Sequence, residues 1–429
     1  MNWQNIKKMT DIMKSLLKYL FIMVLSSGLT VIALNQFTPI VITIPKKDKQ
    51  EIKIDFDQAL AKKDLKRIDR KAKNIILLIG DGMGSNQVTA YRIAKGGPNY
   101  ITAFDKFPFT GLVKTHAVDT LITDSASSAT AYSSGIKTVN GYLGVDKDKQ
   151  IVGNITEILY EKGYVSSLIA TSEITHATPA AFAVHNESRD NTDQIAEAIF
   201  KSNNFILLGG GRDFFLPKNL GGQREDKLDI LSLIKEQERY LSSKEDFNNF
   251  QFDPSKRIFG LFASEALIRK ENEPNLLEMF NFTLEQSEKM LVTNCAGFFI
   301  MTEGSQIDWE GHENDFNDQF KEMDEFNQVV DRALEYAKLD TNTLVIVLAD
   351  HETGGLLIEM DDFRNKPSNK MKISWNTAVG YGTHTGSMIP VYAYGPGAEN
   401  VTGVIDNTDI FFIMKEALGL DELSDRQCL

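Results

Sequence analysis

Hydrophobic positions follow two regimes along the chain. Near the start they form one block: Lys7, Lys8, Lys14 and Lys18 come first, and no charge interrupts the 27 positions from Tyr19 to Pro45. A basic start before an apolar core is the pattern of a secretory signal, and Val31-Ile32-Ala33 offers a small-residue cleavage site. About 20 apolar residues also suffice to cross a bilayer. Residues 1–45 are therefore expected to be a signal peptide or an N-terminal membrane anchor, with the chain exported to the periplasm or the exterior. Residues 46–72 carry more Lys and Arg than Asp and Glu, show no core-facing stripe, and read as a charged linker. From 73 to 429 short apolar runs alternate with longer amphipathic stretches. That pattern predicts an α/β fold, with a large, mostly parallel central sheet and helices on both faces. Residues 212–290, polar and partly helical, read as a peripheral elaboration of it.

The residues just after the apolar runs carry the chemistry. NIILLI (74–79) leads into Gly80-Asp81-Gly82-Met83-Gly84, and SLIA (167–170) into Thr175-His176-Ala177-Thr178. GFFIM (297–301) leads to Glu303, Asp308 and His312, and TLVIVL (343–348) to Asp350-His351. Ligands of open α/β sheets bind beyond the carboxyl ends of the strands. Buried carboxylates without partners are costly, so acids gathered at one sheet edge call for a shared positive charge, most simply metal ions. Asp308 and His312, four apart, share one face of a helical turn. His384, in the glycine-flanked loop Tyr381-Gly382-Thr383-His384-Thr385-Gly386, can approach a metal closely. Histidines with carboxylates suit zinc, and oxygen-only groups suit magnesium. The Gly-Asp-Gly turn lacks the full spacing of a dinucleotide loop, and its Asp would repel a pyrophosphate, so a metal-binding Asp is the better account.

Composition narrows the field further. The 429 residues hold 46 Lys and Arg against 59 Asp and Glu, a net charge of −13, which argues against a nucleic-acid partner. Two cysteines, Cys295 in an apolar run and Cys428 at the C-terminal tip, exclude a disulfide-rich scaffold, and their positions do not suggest a pair. In LITDSASSATAYSS (121–134), Asp124 and Ser125 stand at a helix start. Either could be simply the N-cap. A Ser125 hydroxyl there also meets free N–H groups that suit a phosphate, and no Gly-x-Ser-x-Gly supports a Ser-His-Asp triad. Arg189 offers a fork able to take two phosphoryl oxygens.

Together these residues resemble the alkaline phosphatase family. The matching segments are IGDGMG (79–84), TDSASSATAYSSGIKTVNGYLGVD (123–146), ITHATPAAFAVHNESR (174–189), EGSQIDWEGH (303–312), ADHETGG (349–355) and GTHTGS (382–387). The resemblance implies a phosphomonoesterase with two zinc ions and a third, usually magnesium, site. Asp308, His312 and His384 resemble the first zinc's ligands, and Asp81, Asp350 and His351 the second's, beside the nucleophile Ser125. Asp81 is also similar to a bridge to the third metal, with Thr178 and Glu303, and Arg189 resembles the phosphate clamp. The implied route passes through a phosphoserine. His176 and Trp309 depart from several relatives near the third metal; an uncharged indole there implies a weaker hold on phosphate. Small phosphomonoesters are the implied substrates and a homodimer the implied assembly. A diesterase of the same superfamily and an exported phosphate- or zinc-binding protein are the alternative readings. A sulfatase would need Pro and Arg after its nucleophile, where Ala126-Ser127-Ser128 stand.

Overall fold

The structure, a computed structural model, describes residues 70–359, 369–378 and 380–428. The expected signal or anchor and the linker up to residue 69 lie outside the described residues. Among the described residues, fourteen strands form three sheets: β1 (Asn74–Gly80), β2 (Phe109–Lys114), β3 (Val165–Glu173), β4 (Ile206–Gly210), β5 (Arg239–Leu241), β6 (Ile258–Leu261), β7 (Phe298–Gly304), β8 (Thr343–Leu348), β9 (Glu352–Thr353), β10 (Leu356–Glu359), β11 (Lys372–Trp375), β12 (His384–Thr385), β13 (Ile389–Tyr394) and β14 (Gly403–Asp406). Ten of them make the main sheet, in the order β14-β2-β13-β8-β1-β7-β3-β4-β6-β5. All neighbours are parallel except β13, which runs antiparallel to both β8 and β2.

β1, β7 and β8 are buried along their whole length. A strand covered on both faces reads as a continuous apolar run rather than an alternation, and NIILLI and TLVIVL read that way. Two groups of helices supply the cover. In the helix Phe316–Asp340 the buried positions Gln319, Met323, Phe326, Val330, Ala333 and Ala337 recur at intervals of three and four, giving one stripe to the sheet. The other group includes Ser125–Ser134, packed against Asn407–Leu418. All ten residues of Ser125–Ser134 are buried, which suits its small Ser and Ala side chains.

The four runs singled out in the sequence are adjacent at the centre, as β8-β1-β7-β3. Their register pairs Ile79 with Leu348 and with Glu303, and Glu303 with Ala170, so their carboxyl ends emerge side by side. Two expectations need correction. Segment 212–290 is not only peripheral: it extends the main sheet with β5 and β6, and its helix Leu276–Leu291 packs on β3 and β7. These strands, of three and four residues, are too short to stand out as periodic runs.

Cys295 and Cys428 form a disulfide. The C-terminal tail folds back along the molecule, where Arg426 N–H donates to the Glu161 carbonyl at 2.9 Å and Lys162 meets Asp425 at 2.7 Å. Cysteines 133 residues apart in sequence thus become neighbours, which no local pattern could show. Closing so long a loop restricts the unfolded chain, an effect typically of about 2–4 kcal/mol. Cys428→Ser, compared with the native chain by denaturant unfolding, should lose stability in that range. Its turnover should change little, because Cys295 precedes β7 at the end opposite Glu303, about 20 Å along the strand. Equal stability of the two proteins would contradict this.

Candidate active site

Asp81 leaves β1 on a tight turn. Gly82 has φ +72°, and a Cβ there would lie 2.7 Å from the Asp308 backbone, so the turn needs glycine for both conformation and space. Gly82 N–H and His351 N–H both donate to Asp350 Oδ1, at 3.1 and 2.9 Å. That fixes the Asp350 carboxylate with Oδ2 facing inward. Asp81, Asp350 and His351 are all fully buried, and their ligand atoms lie within 4.8 Å of one another. Among the described residues, both oxygens of Asp81 and Oδ2 of Asp350 have no hydrogen-bond partner.

A second group, Asp308, His312 and His384, meets the same criterion. Asp308 and His312 share the helix Gln306–Glu313, four residues apart as expected. His384 lies in the short strand β12, paired with β9, rather than in an unpaired loop. His312 Nδ1 is 2.7 Å from the Gly382 carbonyl, and His384 Nδ1 is 2.9 Å from the Thr123 carbonyl. A carbonyl only accepts, so each Nδ1 carries a proton, which leaves each Nε2, turned inward, as the atom able to offer a lone pair to a cation. The two Nε2 atoms are 3.2 Å apart, and Asp308 Oδ2 is 3.3 Å from that of His312. Acceptors so disposed repel each other unless a proton or a cation lies among them.

Asp81 also belongs to a third group, with His176 and Glu303. Glu303 Oε2 accepts from the Ser305 hydroxyl at 2.8 Å, while its Oε1 and the buried Thr178 hydroxyl have no hydrogen-bond partner among the described residues. His176 Nε2 takes a hydrogen bond from Arg189 Nη2 at 3.0 Å, and Trp309 stands edge-on to the His176 ring with centroids 6.0 Å apart. The structure therefore brings Asp81, His176, Glu303, Asp308, His312, Asp350, His351 and His384 together beyond the carboxyl edge of β8, β1, β7 and β3 in three adjoining groups, with Trp309 against His176.

The electrostatics agree. Burial, then the neighbouring Asp350, Asp308 and Glu303, push the Asp81 carboxyl well above the usual range. Burial also raises Glu303, to about 7, and Asp350. Asp308 goes the other way: burial opposes its charge, but His312, His351 and His384 hold it low. His176 is pushed down to about 3 by burial and then by Arg189, so it is neutral. Four acids in one pocket, three of them driven toward protonation, form a donor set suited to cations.

Ser125 is the first residue of its helix, and Asp124 is the cap, accepting from Ser127 N–H at 2.9 Å. The Ser125 hydroxyl is buried, 3.3 Å from His351 Nε2. Asp124 also meets Arg189 Nη1 at 3.1 Å, which ties the arginine fork to the start of this helix. Residues the sequence reading passed over complete the site. The Thr353 hydroxyl donates to Asp308 and lies 3.2 Å from His351 Nδ1, linking two of the groups. Tyr381 stacks on His312 with centroids 4.9 Å apart. The signal for Thr353 was its place two residues after His351, on the same side of an extended segment.

Comparison with known proteins bears directly on this arrangement. The family model described as alkaline phosphatase matches residues 72–374 and 359–420. The chain belongs to the alkaline phosphatase family. Alkaline phosphatase 4 of Bacillus subtilis is 34% identical, over 84% of this chain and 92% of its own. Alkaline phosphatase of Escherichia coli K12 is 32% identical, over 85% and 89%. The solved alkaline phosphatase of the Antarctic bacterium TAB5 superposes with a TM-score of 0.73 at 35% identity, covering 82% of this chain and 99% of that one. A His-to-Asp mutant of the TAB5 enzyme, solved with Mg bound in its M3 site, superposes with a TM-score of 0.71 at 33% identity and the same coverage. As an alkaline phosphatase family member the chain is a phosphatase, acting on small phosphomonoesters and carrying candidate metal-binding groups in the place where its sheet gathers acids and histidines.

Proposed function

We propose that the chain hydrolyses phosphate monoesters in two displacements through a phosphoserine on Ser125. The observation that carries this reading is the Ser125 hydroxyl at the helix start, 3.3 Å from His351, with the tethered Arg189 nearby. Asp308, His312 and His384 would hold one zinc, and Asp81, Asp350 and His351 a second. Asp81, Glu303 and Thr178, with His176 beside them, would hold magnesium, as the M3 site does in the TAB5 mutant. Their orphaned carboxylate oxygens and inward Nε2 lone pairs fit such ions. Bound there, the zinc ions would supply Lewis acidity, lowering the pKa of hydroxyl and water and neutralising the leaving oxygen.

The protein's own groups do the rest. Asp124 and His176 orient the Arg189 fork toward two non-bridging oxygens of a monoester, a fit that a diester, with one oxygen esterified, meets only in part. The N–H groups at the start of Ser125–Ser134 face the incoming anion. His351, its Nδ1 held by Thr353, keeps Nε2 on the side of the Ser125 hydroxyl, where it would serve the second zinc beside that oxygen. Export is supported by the N-terminal pattern and by the Cys295–Cys428 disulfide, a bond typical of oxidising compartments.

Hydrolysis of a chromogenic monoester and its matched diester by the full chain, with zinc and magnesium present, tests this reading. The monoester should be preferred by at least tenfold in kcat/KM. A diester preference would move the chain to the diesterase alternative, and turnover of neither by folded, metal-loaded protein would favour the binding protein.

A further inference from the structure

Glu352 follows His351 but belongs to none of the three groups. Its side chain is buried, and among the described residues it makes no ion pair. Instead it accepts three hydrogen bonds from neutral donors on three segments. Gln87 Nε2 donates to Oε1 at 2.7 Å, Leu356 N–H to the same oxygen at 3.2 Å, and the Thr385 hydroxyl to Oε2 at 2.5 Å. Gln87 lies in the helix Ser85–Gly96 that follows the Asp81 turn, Leu356 opens β10, and Thr385 is next to His384. A Cβ at Gly84 would stand 2.3 Å from Glu352 Cγ, so the last glycine of Gly80-Asp81-Gly82-Met83-Gly84 makes room for this side chain.

The His384 ring is held by the Thr123 carbonyl and stacks on His351, but the backbone that carries it is slight. β12 is two residues long and pairs only with β9, His384 with Thr353 and Thr385 with Glu352. So short a ladder is weak by itself. The Glu352 carboxylate adds a side-chain bond across that ladder and a second to the helix behind the Asp81 turn. The Thr385 hydroxyl already accepts from Ser387 N–H at 3.3 Å, so its own proton points to Glu352. An amide at 352 would offer only one accepting atom to these donors.

We infer that Glu352 is a positioning residue that clamps β12 to the Asp81 turn and so preorganises the Asp308–His312–His384 group for its metal. This inference rests on the zinc reading above. It is tested by titrating zinc into the metal-free full chain, in wild type, Glu352→Gln, Thr385→Val and the double variant. Chemical unfolding of each metal-free protein is measured in parallel. One of the zinc-binding steps should weaken about 10–100-fold in each single variant, as when a partner that orients a ligand is lost. The double variant should be no weaker than the weaker single, since both remove the same bond. Unfolding midpoints of the metal-free proteins should stay together. Zinc affinities within twofold of wild type would overturn the inference. So would an equal loss at every step with a lowered midpoint, which would make Glu352 a residue of general folding. A wild type that takes up no zinc would instead overturn the zinc reading itself, whatever the variants do.

Discussion

Replacing Ser125 by alanine is expected to lower kcat for a phosphomonoester by about 10³–10⁶-fold, the range seen when a nucleophile is removed from an otherwise intact site. No neighbouring hydroxyl can take its place. Ser127 Oγ donates to the Thr138 carbonyl at 3.1 Å, and Ser128 Oγ to the Asp350 carbonyl at 2.9 Å, so both hydroxyl protons are engaged on backbone carbonyls. The fold should survive, because Asp124 rather than Ser125 caps the helix and alanine suits its first turn. Steady-state kinetics beside a thermal melt separates the two effects. Activity within tenfold of wild type in the alanine variant would remove Ser125 from the mechanism.

Metal removal should have the second large effect, on both activity and stability. Asp81, Glu303, Asp308 and Asp350 are buried together, and among the described residues the only Lys or Arg tied to the three groups by a hydrogen bond is Arg189, through His176. Without cations these carboxylates repel one another or bind protons in place of metal, both at the expense of the folded state. An ion present at 1,000 times its dissociation constant stabilises the folded chain by about 4 kcal/mol per site. Chelated protein should therefore be inactive and melt at a clearly lower temperature, with zinc restoring both and magnesium adding to the recovery. Coincident melting curves for chelated and zinc-loaded protein would contradict the assignment of the three groups.

How much of this was legible in the sequence depended on how local each feature is. β1, β7 and β8 could be read because strands buried on both faces leave continuous apolar runs, and the acids after them stood out against that background. Their adjacency could not be read, since the order β8-β1-β7-β3 is set by crossovers over long stretches of chain. β5 and β6 were missed because strands of three or four residues carry no period, and antiparallel β13 because strand direction leaves no mark in composition. Asp124 and Ser125 were ambiguous in sequence as cap and nucleophile. The structure makes Asp124 the cap and leaves the Ser125 hydroxyl 3.3 Å from His351. Glu352 and Thr353 sit in ADHETGG beside the named ligands, yet their partners Thr385 and Asp308 are 33 and 45 residues away. Pairing over such distances, like that of Cys295 with Cys428, appears only once the chain is folded.

The central claim is that phosphate passes through Ser125. The measurement that tests it most directly is acid quenching of the full, metal-loaded chain during turnover of a phosphomonoester, followed by digestion and mass spectrometry. The account predicts phosphate on Ser125, and none on the same peptide of Ser125→Ala. Phosphate on Ser127, Ser128 or any other residue, with turnover continuing in the alanine variant, would contradict it.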